Sequence, residues 1–329
     1  MRKVKNWITG LIELAQEQEA PDKFWTWSAL FTIASTLGRR VRLPFGMSPV
    51  LPNLFVILIA SPGKARKGGP ASLSKKFLSE VKAKMGVDST TKASVCKELS
   101  ENAQQFAVCG KFETHSDLVL ISKELSSFLG TDMKNLIEWM TDIFDYHIDW
   151  EYRIKNGPPS RVYGPVVNFL GATTPKWLGD NVPFESLGYG WSSRVVFVSS
   201  SQKKGRITIP VLDYGTLYFD LVHDLSEIAN LRGDFKFDPV AYSIFDEWYQ
   251  RIDEKYDQIQ DERFHDFIER MHINVLKVAM CYHVAYSDSL LLLEEDIQFA
   301  INLVEEILTS LPETFAGIGR NRNAGTTRV

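Results

Sequence analysis

The chain has 329 residues, with 37 lysines and arginines against 41 aspartates and glutamates, a formal charge of −4. That length suits one large domain or a core with a smaller companion, at about 100–200 residues per domain. A content of 44% hydrophobic and 24% charged residues excludes a disordered chain, a collagen and a coiled coil, and the slight acidity excludes a wholly basic nucleic-acid coat while leaving room for a local basic patch.

Met1-Arg-Lys-Val-Lys-Asn6 leads into no apolar stretch with a small-residue cleavage site, so no signal peptide is expected. Trp7, Leu11, Leu14 and Ala15 recur at helical spacing until Pro21-Asp22, and a second apolar helix runs from Phe24 to Leu37, stopped by Gly38. Arg39 to Leu43 alternates like a half-exposed strand, its arginines on the wet side. Leu54–Ala60 is an uninterrupted β-favouring run bounded by Pro52 and Ser61-Pro62-Gly63, as in a strand buried on both faces. It is also the longest apolar run. A membrane span needs about 20 such residues, so none is expected. A helix is expected over 72–85, strands at Leu118–Ile121, Val166–Leu170 and Val195–Val198, and a helix at 132–146 between the first two strands. Strands alternating with helices predict an α/β domain with a mostly parallel sheet. Beyond about residue 211 the pattern predicts only amphipathic helices, at 215–230, 239–256, 262–285 and 294–310. The expected division is a helical N-terminal element (1–45), an α/β core (46–210), an all-helical C-terminal domain (211–316) and a flexible tail (317–329). Cys96, Cys109 and Cys281 are widely spaced, forming neither a disulfide framework nor a zinc site, and the histidines show no metal-ligand spacing. No metal site is expected, and a reducing, cytoplasmic setting is.

Chemistry concentrates after the first buried strand. Ser61, Pro62, Gly63, Lys64, Ala65, Arg66, Lys67, Gly68 and Gly69 leave that strand and enter a lysine-bearing helix. Glycines let backbone N–H groups converge on an anion, a lysine can reach the β- and γ-phosphates, and the helix N-terminus adds partial positive charge. The strict pattern G-x-x-x-x-G-K-[ST] is not met. With Ser61 first, Arg66 takes the second glycine's place, Lys67 the lysine's and Gly68 the hydroxyl's. With Ala60 first, Ala65, Arg66 and Lys67 fall there. Only the first register keeps a lysine in place, so Lys67 is preferred. A basic surface turn is the plain alternative.

Four stretches in order carry a resemblance: Pro52 to Lys67, Leu118-Val-Leu-Ile-Ser-Lys-Glu-Leu-Ser-Ser-Phe-Leu-Gly130, Asn168-Phe-Leu-Gly-Ala-Thr-Thr-Pro175 and Gly188-Tyr-Gly-Trp-Ser-Ser-Arg-Val-Val-Phe-Val198. From about Trp25 to about residue 305 the chain resembles a family of phage- and prophage-encoded P-loop ATPases, a domain-of-unknown-function family related to AAA+ helicases. Its motif order is similar to that of the minichromosome-maintenance helicases. The resemblance implies an AAA+/RecA-like P-loop NTPase core with a helical lid, ATP and Mg²⁺ as ligands, and a homo-oligomeric, hexameric ring. Its setting would be the host cell of a phage or mobile element, working on single-stranded or forked DNA, with other replication proteins as possible partners. By position it makes Glu124 the carboxylate that orients the attacking water. Thr174, or its neighbour Thr173, becomes the polar sensor of the γ-phosphate, and a helix-capping threonine is the alternative. Arg194 becomes an arginine finger reaching a neighbouring subunit's nucleotide, and Arg270 a second sensor arginine, for which Arg263 and Lys277 compete. Lys123 stands where such ATPases carry a magnesium-supporting Asp, and Gly68 where they carry the magnesium-binding hydroxyl. These departures favour a rival reading: a non-hydrolysing scaffold or helicase loader that binds DNA or protein. An ATPase acting on protein is a third.

Trp150-Glu-Tyr-Arg-Ile-Lys-Asn-Gly-Pro-Pro-Ser-Arg-Val-Tyr163 alternates on both sides of an Asn-Gly turn, predicting a β-hairpin. Arg153, Lys155 and Arg161 near its tip would grip phosphates, and Tyr152 and Tyr163 could stack on bases. A solvated hairpin is the alternative. Lys203, Lys204, Arg206 and the tail arginines Arg320, Arg322 and Arg328 are weaker phosphate candidates.

Overall fold

The computed structural model describes residues 1–87, 90–108, 110–153, 159–182 and 190–316. The turn residues of the expected hairpin, Lys155 included, the Gly188-Tyr189 pair and the tail arginines lie outside them. Two helices open the chain. In α1 (Trp7–Leu14) the side chain of Asn6 accepts from Ile8 and Thr9 N–H. α2 (Asp22–Leu37) is buried along nearly its whole length and on all sides, as an apolar helix without a polar stripe must be. It ends at Gly38, with φ +55°, where a Cβ would stand 2.3 Å from the carboxylate of Asp117. Only glycine fits that corner.

The strands β1 (Val41–Arg42) and β2 (Phe55–Ile59) follow, then α3 (Gly68–Glu80), α4 (Lys92–Glu101), β3 (Ala103–Val108) and β4 (Lys111–Ser122). Next come α5 (Leu125–Leu129), α6 (Met133–Ile143), the hairpin strands β5 (Asp149–Tyr152) and β6 (Ser160–Tyr163), β7 (Pro165–Thr173), α7 (Pro175–Asn181) and β8 (Val195–Ser199). The central sheet has five strands in the order β3-β4-β7-β2-β8. β4, β7, β2 and β8 run parallel, and β3 is an antiparallel edge. β2 and β7 are wholly buried, which is why their sequences read as continuous apolar runs rather than alternations.

The C-terminal part holds α8 (Thr216–Ile228), α9 (Pro239–Gln250), α10 (Glu254–Gln258), α11 (His265–His283) and α12 (Glu294–Thr314). It was expected to be all-helical, but among the described residues it also holds three short strands. β9 (Gly233–Asp234) pairs with β1, and β10 (Lys236–Phe237) pairs with β11 (Leu291–Leu292), each two residues long. Such short pieces leave no periodicity to detect. Arg39 and Arg42 do not line a wet surface either. Arg39 is buried with its guanidinium over the ring of Tyr146, and Arg42 bridges Glu113 and Asp234. The buried side chains form one continuous cluster from Trp7 to Phe315. α11 is tied to the centre of the sheet, because the ammonium of Lys277 donates to the carbonyl of Leu51 and to Asn53 Oδ1, just ahead of β2. Among the described residues no helix is long and apolar enough to cross a membrane.

Candidate functional site

Because β2, β4, β7 and β8 are parallel, the segments that follow them all leave the same edge of the sheet. In open α/β sheets that edge is where ligands bind. Ile59 is in register with Thr173 on one side and Ser199 on the other. Beyond it, Ala60 N–H donates to Thr173 O (3.2 Å) and Ser200 N–H to Ile59 O (2.9 Å). Ser61, Thr174 and Ser200 therefore depart side by side. Ser122 pairs with Gly171, so Glu124 emerges two strands from the loop, about 10 Å at the usual strand spacing. The fold thus brings together the glycine-rich loop, Glu124 and Thr174.

The loop is tightly wound. Lys64 N–H donates to Ser61 O and Gly69 N–H to Arg66 O. Gly63 and Arg66 both have positive φ, +70° and +48°. α3 begins at Gly68 without a side-chain cap, so its first N–H groups have no side-chain acceptor. A cavity of about 490 Å³ opens against the loop. Gly63, Arg66, Lys67 and Gly68 line one side, and Ala20, Trp25 and Pro210 give it an apolar wall. Lys64 faces a neighbouring cavity. Neither Lys64 nor Lys67 has an ion pair among the described residues.

Glu19, from the α1–α2 corner, had no signal in the sequence, where it ends the polar run Gln16-Glu17-Gln18. It is buried, 5% exposed. Its Oε2 takes Arg66 Nε and Lys203 Nζ, each at 2.6 Å, and its Oε1 accepts from Ile207 N–H at 3.1 Å. Lys203, then Arg66, lower its pKa to about 2. Lys204 pairs with Asp22.

Glu124 and Lys123 are both exposed, and the Glu124 carboxylate has no side-chain partner among the described residues. Thr174 caps α7, its hydroxyl oxygen accepting from Trp177 N–H at 3.1 Å. Its own O–H stays available. Thr173 is buried inside β7. The residues do not build a site for Mg²⁺: Gly68 offers no hydroxyl, Lys123 is a cation, and no group of three His, Cys, Asp or Glu side chains among the described residues could hold a metal. A metal ion here would have to arrive on a nucleotide's own phosphates.

Arg194 and Arg270 lie elsewhere. Arg194 precedes β8, at the opposite edge of the sheet, a five-residue strand of about 16 Å away from the loop edge. Both arginines converge on Asp145, Arg194 Nη2 at 2.5 Å from Oδ2 and Arg270 Nη2 against Oδ1. Arg194 also donates to Gly190 O. Lys277 is fully buried behind them. Burial, opposed by Asp145, lowers its pKa to about 7. Asp145, Arg270, Lys277 and Asn53 share a cavity of about 330 Å³. Arg263 is committed to Asp261.

The expected hairpin exists as β5 and β6. Arg153 and Arg161 both face Glu151, at 2.5 and 3.7 Å. Trp150 and Tyr152 stack, and Lys92 of α4 lies over the Tyr152 ring.

Fold and site define a mixed α/β protein whose mostly parallel sheet carries a glycine-rich cationic loop at the edge where its parallel strands end. No protein-family model matches the chain, and no curated protein matches it.

Proposed function

We propose that the chain is an ATP-binding P-loop protein that acts as an oligomer on DNA, as a helicase-like or translocase-like component of phage or mobile-element replication. The observation carrying this reading is the shared sheet edge, which gathers the uncapped, lysine-bearing loop, an exposed carboxylate and a polar threonine from three parallel strands. In that reading the loop backbone and Lys67 hold the phosphates, Glu124 orients the attacking water, and Thr174 contacts the terminal phosphate. Arg194 and Arg270, held together on Asp145 at the far edge, are out of reach of their own chain's loop. They would serve the nucleotide of another copy. Lys123 and Gly68 favour the second reading, a P-loop protein that binds nucleotide without turning it over. ATP turnover with and without single-stranded DNA separates the two. The motor reading expects turnover that DNA stimulates and that Glu124→Gln abolishes. Nucleotide binding with no turnover in either condition supports the scaffold or loader instead.

A further inference from the structure

The loop that follows β8 has the same relation to the sheet edge as the loop that follows β2. Ser200 N–H donates to Ile59 O, so the two segments leave as neighbours although about 140 residues separate them in sequence. A cavity of about 750 Å³ lies between them. Pro62, Gly63 and Lys64 line one side, and Lys203, Gly205 and Arg206 the other. Gly63 borders this cavity and the one at Lys67, so the two lie side by side at one left-handed glycine. Glu19 fixes the arrangement, taking Arg66 from one loop and Lys203 and Ile207 from the other.

Resting on the proposed phosphate role of the Ser61–Gly69 loop, we infer that the Ser200–Arg206 loop completes that site, and that Lys203 and Arg206 bind the terminal oxygens of a polyphosphate. The charge count argues for a compact polyanion. Lys64, Arg66, Lys67, Lys203 and Arg206 surround the two cavities, with Glu19 the one acid lining them among the described residues. A nucleic-acid backbone spreads one charge per nucleotide along a strand, whereas a triphosphate packs its charges within a few ångströms. The concave wall between two loops matches the compact form. Lys203 keeps two ammonium protons beyond the one directed at Glu19, and Arg206 is exposed with no ion pair among the described residues.

The test is a calorimetric titration of the full chain with inorganic tripolyphosphate in chloride buffer. It compares wild type, Lys67→Ala, Lys203→Ala and Arg206→Ala, with circular dichroism verifying the fold. Arg206 is the cleaner site, because Lys203→Ala also removes a partner of buried Glu19. Losing one charge-assisted contact should weaken binding about tenfold, in Arg206→Ala as well as in Lys203→Ala, with Arg206→Lys recovering part of the loss. If wild type binds and Lys67→Ala does not, but both second-loop variants bind within twofold of wild type, the second loop is no part of the site and the first loop's role stands. If wild type binds no tripolyphosphate, both readings fall together. If Arg206→Ala weakens binding of an oligothymidylate but not of tripolyphosphate, the loop contacts nucleic acid and the inference is overturned.

Discussion

Lys277 is a buried cation whose pKa its surroundings lower. Burial and the neighbouring Arg270 favour the neutral amine, while Asp145 favours the ammonium, with the pKa falling from 10.5 to about 7. The sign follows from linkage: between about pH 7 and the unfolded value the unfolded chain binds the extra proton, so stability rises with pH across that window. Below pH 7 both states are protonated and the burial penalty is constant. Chemical denaturation from pH 6.5 to 9.5 should therefore show wild type gaining stability, by a few kcal/mol, relative to Lys277→Met. Parallel profiles for the two proteins would mean that Lys277 keeps its proton when folded. Single residues were unevenly legible. The turn after Leu54–Ala60 was legible, because a glycine-rich segment after an apolar run has a local signature. Glu19 and Asp145 had none, since each acquires its role from cations distant in the chain: Lys203 for the first, Arg194 and Arg270 for the second.

Elements with strong periodicity or long apolar runs were readable: α2, β2, β7, β8, α8, α11 and α12 fall within a few residues of expectation, whereas the single helix expected over 239–256 is broken after Gln250 into α9 and α10. α4 and β3 were not. β3 is an edge strand whose residues alternate between exposed and half-buried until Val108, so its sequence Ala-Gln-Gln-Phe-Ala-Val lacks the apolar density that marks the central strands. The hairpin's two strands were legible, but the pairing of its arginines with Glu151 was not. That pairing changes what the hairpin should do. Glu151→Gln would release both arginines and tighten single-stranded DNA binding. Replacing Arg153, Lys155 and Arg161 by alanine should flatten the log–log salt dependence by roughly 0.7 per lost phosphate contact, with equal loss for every sequence. A fluorescence-anisotropy salt titration reads both effects, and unchanged slopes would assign the hairpin to structure alone. At the start of α7, Thr174→Ala should cost about 1 kcal/mol for the lost cap. A role at the terminal phosphate predicts a further fall in ATP turnover under conditions where the variant is fully folded. Undiminished turnover would leave Thr174 a cap.

On the scale of the whole molecule, the sheet separates two sets of polar and charged residues. The loop, Glu124 and Thr174 occupy the edge where the parallel strands end. Arg194, Arg270 and Asp145 occupy the edge where they begin. If the arginines act on nucleotide, they act between copies. Light scattering should then show larger assemblies with ATP and Mg²⁺, and mixing in Arg194→Ala should depress turnover faster than its fraction rises. A monomeric mass at micromolar protein with nucleotide present would remove the ring from the account. The layered α/β character was legible because β2, β7 and β8 are buried and mostly apolar. The tie between the N-terminal and C-terminal parts was not, since it joins segments far apart in the chain: α1 and α2 packed on α8 and α11, the two-residue pair β1–β9, and bonds such as Trp7 N–H to Ala285 O. The central claim is that the loop after β2 binds a nucleotide's phosphates, and a calorimetric titration of ATP into wild type, Lys67→Ala and Lys64→Ala tests it most directly. The account predicts binding to wild type, a loss of at least about tenfold for Lys67→Ala and a smaller loss for Lys64→Ala. Equal affinities for wild type and Lys67→Ala, or no binding by wild type, would contradict it.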